Sequence, residues 1–239
     1  MTILHGPRLN CLLAAIPETE YSRIAGDLEP VSLPRTTVLY DFNDHLEYIY
    51  FPVTLTASLI CSMEDGSSVE VSEVGNEGVL DISVLLGGEG ALTQAVVQTD
   101  GHAYRMSTTR LRRELSRGGA LQHVLMRYTQ TLIAQMAQTT GCVRRHSVEQ
   151  QLCRCLLLNF DRTRSRNLSM TQEAMANMLG VRRESVSEAA TRLQSAGYIS
   201  YKRGHIEVLN RSGLENQACE CYGFVKKEFD RLRADLIPC

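Results

Sequence analysis

No stretch of this 239-residue chain strings together the ~20 apolar residues that a membrane-spanning helix needs, so a membrane partner is not expected. The opening MTILHGPRLNCLLAAIPETE holds an apolar patch. Its positive region is thin, and no small-residue cleavage site of a secretory leader follows. Leu9, Leu12, Leu13 and Ile16 are spaced instead as one face of a short helix, and the expected location is the cytoplasm. Internal repeats and low-complexity tracts are missing too. Hydrophobic residues at 44% and charged residues at 22% suffice for the core of one large domain or two smaller ones.

Metal-ligand spacing is also scarce. There are eight cysteines, which in such a chain are expected to be reduced thiols and not a disulfide framework. Cys153-x-Cys155 and Cys219-x-Cys221 each leave one residue between their sulfurs, short of the gap of about two to four residues in zinc sites. No matching pair of histidines lies beside them. On one helix, positions i and i+2 also point to different faces. The reading is structural thiols, no metal and no cofactor. An H-x-H is lacking, and His45 and His102 stand alone, which speaks against a cupin-like metal enzyme on a similar barrel. The chain is not expected to be an enzyme.

A large net charge is lacking as well, but the total of −2 conceals an asymmetry. Residues 1–141 carry 9 Lys+Arg against 16 Asp+Glu, a net of −7; residues 142–211 carry 12 against 6, a net of +6. The tail 212–239 adds −1. A basic block in an otherwise acidic chain points to an anionic partner for the second half.

What is present falls into three parts. From about residue 37 to 107 the runs TVLYDF, LEYIYFPV, TASLICSM, SVEVSEV, TQAVVQ and HAYRMS are short and rich in β-branched and aromatic residues. Turn signals separate them, with a hairpin expected at Asp65-Gly66. Evenly spaced short strands predict a closed antiparallel sandwich or barrel. After RGGA, the residues Leu121, Leu125, Tyr128, Leu132, Gln135 and Thr139 step by four and three with Met136 alongside. They predict a long amphipathic helix whose seam, Leu121, Leu125, Tyr128, Leu132 and Met136, pairs with a second copy. The alternative for that stripe is packing on the chain's own barrel.

The third part carries the chemistry. A helix is expected near 148–160, followed by the basic loop DRTRSRN and a helix over 172–179 capped by Thr171, with Glu173 in its first turn. Gly180 then suits a turn before a helix in LGVRRESVSEAATRL, residues 179–193. There Val186, Ala189, Ala190 and Leu193 repeat at helical spacing, while Arg182, Arg183, Glu184, Ser187 and Glu188 project. Two helices joined by a short turn with glycine form the helix-turn-helix pattern. YISYKRGHIEVL adds a hairpin wing, and RSGLENQACECYGFVKKEFDRL a final amphipathic helix. Arginines in the first turn oppose the helix dipole unless an anion lies in front. Duplex DNA is such an anion: phosphates suit the helix N-terminus, arginine suits guanine O6 and N7, and Glu184 can accept from a cytosine amine. Lys202 and Arg203 of the wing, and Arg162, Arg164 and Arg166 of the loop, are placed for phosphates.

The strand-rich first part, the long helix and MTQEAMANMLGVRRESVSEAATRLQSAGYISYKRGHIEVL together resemble the Crp/Fnr family of bacterial transcription regulators over nearly the whole chain. HSVEQQLCRCLLLNFDR and CECYGFVKKEFDRL look like a proteobacterial branch of it. The resemblance implies an α+β chain: a cyclic-nucleotide-binding-like jelly roll at 1–117, a dimerisation helix at 118–145 and a winged helix-turn-helix domain at 146–239. It implies a homodimer on palindromic double-stranded DNA, with RNA polymerase as a further partner. By motif match Arg183 and Glu184 occupy base-reading positions and Arg182 and Thr171 phosphate-contact positions. Gln172 and Ser187, beside them on the two helices, complete the expected DNA-facing set with Glu188.

Two departures from the family pattern matter. The arginine usual four residues after the base-reading glutamate is Glu188 here, which either reads a base amine or pairs with Arg192 at i+4. In the sensor half, Leu80-Asp81 stands where a Gly-Glu pair holds ribose, and Thr93-Gln94-Ala95 where an Arg triplet holds the cyclic phosphate. Without that arginine the phosphate loses its bidentate partner, so cyclic AMP is not expected to act. The alternative is a cyclic-nucleotide- or cyclic-dinucleotide-responsive regulator. Only Cys11 lies in the first sixty residues, which removes the N-terminal cysteine cluster of an iron–sulfur oxygen sensor, and no haem motif is present. The effector is not named by the sequence.

Overall fold

The computed structural model describes residues 6–163 and 166–236, which form two compact units. One gathers the chain up to Ser62, then Ser72–Ile133 and the stretch from Asp230; the other gathers Met63–Val71 and Ala134–Phe229. Arg164, expected among the phosphate contacts, lies outside the described residues.

Along the first half of the chain, short helices α1 (Cys11–Ala14) and α2 (Glu18–Ile24) precede seven strands: β1 (Glu29–Leu33), β2 (Val38–Tyr40), β3 (Tyr48–Pro52), β4 (Ala57–Ser62), β5 (Ser68–Val74), β6 (Gln94–Val97) and β7 (Gly101–Ser107). They make two antiparallel sheets, one ordered β1-β7-β3 and the other β2-β6-β4-β5. All six expected strands are there. β1 is additional: EPVSL has a proline and little buried surface, so it carries no alternating signal, and its place comes from pairing with β7, Val31 opposite Ala103.

The pleat sends every second side chain inward. Ile49 and Phe51 of β3 and Ala95 and Val97 of β6 follow this alternation, and Leu59, Ala103 and Met106 are buried as well. Each fully buried large apolar side chain contributes about 1.5–3 kcal/mol of transfer free energy. The entry helix is held by Asn10, fully buried. Its side-chain oxygen accepts from the Leu12 and Leu13 N–H groups at 3.1 and 3.3 Å. Its amide donates to the carbonyls of Pro52 and Gly78 at 2.9 and 2.8 Å.

Helix α3 (Thr108–Leu115) leads into the long helix α4 (Ala120–Arg145). Glu20 accepts from the Ala120 and Leu121 N–H groups at 2.9 and 3.1 Å, neutralising the positive end of α4 where its own backbone offers no acceptor. The expected dimer seam needs correcting here. Leu121, Leu125, Tyr128 and Leu132 are all buried within the single chain, Leu125 to 0% exposure, so the stripe is a core stripe for these four. Only Met136, at the far end, is half-buried. An amphipathic period specifies that a face is covered, not what covers it.

In the second unit, α5 (Val148–Thr163) runs through the centre, with Leu152, Leu156, Leu157 and Phe160 buried. It is followed by β8 (Asn167–Ser169), α6 (Gln172–Leu179), α7 (Arg183–Ser195), β9 (Ile199–Lys202), β10 (His205–Val208), α8 (Arg211–Gln217) and α9 (Glu220–Leu236), the last of which belongs to this unit up to Phe229. The wing is a three-stranded sheet in the order β8-β10-β9. Among the described residues, no helix is long and apolar enough to cross a membrane.

Candidate nucleic-acid interface

The local sequence dictates the two-helix element. Thr171 caps α6 as expected, its Oγ1 accepting from Ala174 N–H at 3.1 Å. Gly180 ends the helix at φ +62°, a left-handed conformation that glycine adopts without Cβ cost. The Val181 N–H then bonds the Ala176 carbonyl at 3.1 Å, closing the reversed turn. Arg182 is the N-cap of α7, extended, and its side chain makes no capping bond. An arginine side chain has no acceptor to offer the first-turn N–H groups; the Ser185 N–H turns back to the Arg182 carbonyl at 3.1 Å, and the preceding N–H groups suit an approaching anion.

Val186, Ala189, Ala190 and Leu193 are the buried face of α7, the four expected. Arg182, Arg183, Glu184 and Glu188 are exposed. Among the described residues Arg182 and Arg183 form no ion pair. Ser187 is half-buried, and its hydroxyl accepts from the Gln172 amide at 3.3 Å. These two expected DNA-facing residues thus bond each other and tie α6 to α7. Arg192 is engaged by Glu149 of α5 at 2.6 Å, whereas Glu188 stands 4.0 Å from it.

The wing turn is Arg203-Gly204, with φ of +51° and +82°; two positive φ values in a two-residue loop are those that match strand twist in a hairpin. Lys202 and Arg203 are exposed and, among the described residues, free of ion pairs. The Gly204 carbonyl accepts from Met170 N–H at 2.7 Å. That bond fixes the wing tip beside Thr171, so the cap of α6 and the wing cations share one edge. Arg166 is exposed just before β8, while Arg162 is half-buried at the end of α5.

Behind this surface Arg211 forks onto Asp161 at 2.5 Å and Glu215 at 2.9 Å, and Tyr222 donates to Asp161 at 2.9 Å. The network joins α5, α8 and α9. Burial holds the Tyr222 hydroxyl well above its usual range, and the adjacent Asp161 carboxylate adds to the effect.

Four residues that sequence spacing did not connect also come together: Cys142 and His146 at the end of α4, and Cys219 and Cys221 between α8 and α9. A hydrogen bond from the Cys142 thiol favours the Cys219 thiolate and draws its pKa down to about 5, while the same bond and burial push Cys142 up. Cys153 and Cys155 stay apart from this group as buried thiols of α5, and burial pushes Cys153 up to about 12.

In the strand-rich N-terminal unit Leu80 and Asp81 are buried. Asp81 sits at φ +67°. Its carboxylate accepts from the Ser83 N–H at 2.5 Å and from the Ser83 hydroxyl, and burial raises its pKa. Thr93 is buried too.

Residues 150–217 match the family model of the Crp-like helix-turn-helix domain. No curated protein matches the chain. Among solved structures, FixK2 from Bradyrhizobium japonicum is similar with 18% identity, covering 80% of this chain and 98% of that one at a TM-score of 0.69. A CRP/FNR-family transcriptional regulator from Thermus thermophilus matches at 19% identity, 80% and 98% coverage and a TM-score of 0.62. The c-di-GMP-responsive global regulator CLP of Xanthomonas campestris matches at 12%, 80% and 99%, with a TM-score of 0.66. At these identities the likeness establishes the fold, a strand-rich N-terminal unit, a long helix and a C-terminal helix-turn-helix.

Proposed function

From a chain that has the Crp/Fnr fold and carries a Crp-like helix-turn-helix domain, we infer a sequence-specific DNA-binding transcription regulator that acts as a homodimer on two-fold symmetric sites. The observation that carries it is the set of exposed cations, unpaired among the described residues, around the start of α7, where no side chain caps the helix. Arg182 and Arg183 stand there, with Lys202 and Arg203 on a wing anchored beside Thr171. Phosphate contacts from the N-cap and wing position the helix, and Arg183 and Glu184 read base edges. A gel-shift with a pool of random duplexes tests this: a complex that survives excess non-specific competitor supports it, and binding that competitor abolishes contradicts it.

The dimer contact in this reading lies on an exposed flank of α4, beside its core stripe. Met126 and Ile133 are 37% and 51% exposed and stand one heptad apart, the spacing at which two helices meet along a seam.

Cyclic AMP is not the effector in this reading. Thr93 has no charge to offer a cyclic phosphate, and the Asp81 carboxylate is occupied by Ser83. The effector chemistry is left open.

A further inference from the structure

We propose that Cys142, His146, Cys219 and Cys221 bind one Zn²⁺ ion in a closed, four-coordinate structural site. Their ligand atoms all lie within 4.8 Å of one another. The Cys142 and Cys219 sulfurs are 3.5 Å apart, and the Cys221 sulfur is 3.6 Å from His146 Nδ1. Tetrahedral zinc, with Zn–S of about 2.3 Å and Zn–N of about 2.0–2.1 Å, sets ligand pairs roughly 3.8 Å (S to S) and roughly 3.5 Å (S to N) apart. The observed pairs fall within a few tenths of an ångström of those values. A group this tight encloses one ion and leaves no room for a multi-iron cluster.

The backbone explains how a poor sequence spacing yields a good site. Cys142 and His146 are four apart at the end of α4, and the His146 N–H still bonds the Cys142 carbonyl at 3.0 Å, so both side chains lie on one helix face. Cys219 sits in the break between α8 and α9, after an extended Ala218, and Cys221 is in the first turn of α9. The i, i+2 divergence expected within one helix therefore does not apply.

The surroundings have the features of a metal's outer shell. His146 Nε2 faces Glu220 Oε1 at 3.3 Å, leaving Nδ1 toward the sulfurs, and a carboxylate behind a histidine ligand fixes its tautomer and orientation. The Gln138 amide donates to the Cys221 sulfur at 3.0 Å. Arg154 is buried, close enough to Cys142 to act on its charge, and among the described residues its Nε has no hydrogen-bond partner. A buried, incompletely satisfied guanidinium is costly unless a negative charge lies near it. Three thiols lose their protons to solvent as Zn²⁺ binds with neutral His146, leaving a site of charge −1 that Arg154 balances.

The experiment is metal analysis of the full-length protein purified without chelator, followed by Co²⁺ titration of the reduced, chelator-stripped chain. The proposal expects about one zinc per chain, tetrahedral Co²⁺ d–d bands with thiolate charge transfer, and displacement of Co²⁺ by Zn²⁺. Cys219→Ser and His146→Ala should lose most of the metal, whereas Cys153→Ser, a buried thiol outside the group, should keep it. The wild-type titration decides even where a variant fails to fold. A metal-free protein with no Co²⁺ spectrum, octahedral Co²⁺ bands, or a Cys142–Cys219 disulfide in the fresh protein would each overturn the site.

Discussion

Arg192 on α7 donates to Glu149 on α5, Nε to Oε2, at 2.6 Å. This pair anchors the helix that carries the basic N-terminus to the central helix behind it. It also settles which partner holds Arg192: Glu188, one turn back, stands at 4.0 Å and is 73% exposed. The Glu188 carboxylate is thus displayed outward and held only loosely by its neighbour. On the sites the wild-type protein prefers, Glu188→Arg should add a guanine preference at one base pair per half-site, with discrimination of about 1–3 kcal/mol. Competition binding against single-base variants measures it; an unchanged preference would remove Glu188 from the readout surface.

In the proposed complex the wing cations set the salt response. Each of Lys202→Ala and Arg203→Ala should weaken all DNA sequences alike and lower the salt slope by about one unit of log K against log [salt]. Fluorescence anisotropy over a salt series checks this, and a slope unchanged in both variants contradicts phosphate contact at the wing.

Two faces of α4 should behave differently. Met126→Glu with Ile133→Glu should leave the fold intact by circular dichroism, give monomers by light scattering and weaken DNA binding. Leu125→Ala, on the buried stripe, should instead cost about 2–5 kcal/mol in chemical denaturation. Retention of the dimer by the double variant would place the contact elsewhere.

Glu20 ties acid stability to the start of α4. The hydrogen bonds from Ala120 and Leu121 hold its carboxyl below the usual carboxylate range. A depressed folded pKa contributes stability above the unfolded value, and that stability is lost as pH falls through the folded one. Glu20→Gln should therefore lower Tm by about 2–4 °C at neutral pH, and the gap to wild type should close as the solution is acidified. Melting curves across pH check it; a gap that widens in acid contradicts the cap.

The sequence shows most plainly whatever repeats along one element. The buried face of α7, the Thr171 cap, the Gly180 turn and the wing all follow from local periodicity and turn chemistry, and the structure has each of them. What depends on distant partners was not legible. Strand β8 lies in a basic stretch and exists because β10 pairs with it, Ile206 opposite Leu168. The stripe on α4 was visible, but its covering surface was not: Leu121, Leu125, Tyr128 and Leu132 are buried within the single chain. Cys142 and Cys219 are 77 residues apart. Their pairing with His146 and Cys221 arises where two helix ends meet, which no short spacing records.

Selection of bound duplexes from a random pool, carried out in parallel with wild-type protein and Arg183→Ala, tests the recognition surface most directly. A two-fold symmetric consensus is predicted for the wild type, with half-sites about one helical turn, ~34 Å, apart. The same consensus is predicted for Arg183→Ala with one base pair per half-site relaxed. Recovery of no consensus, or of the same fully specified consensus with Arg183→Ala, would contradict base reading by the N-terminus of α7.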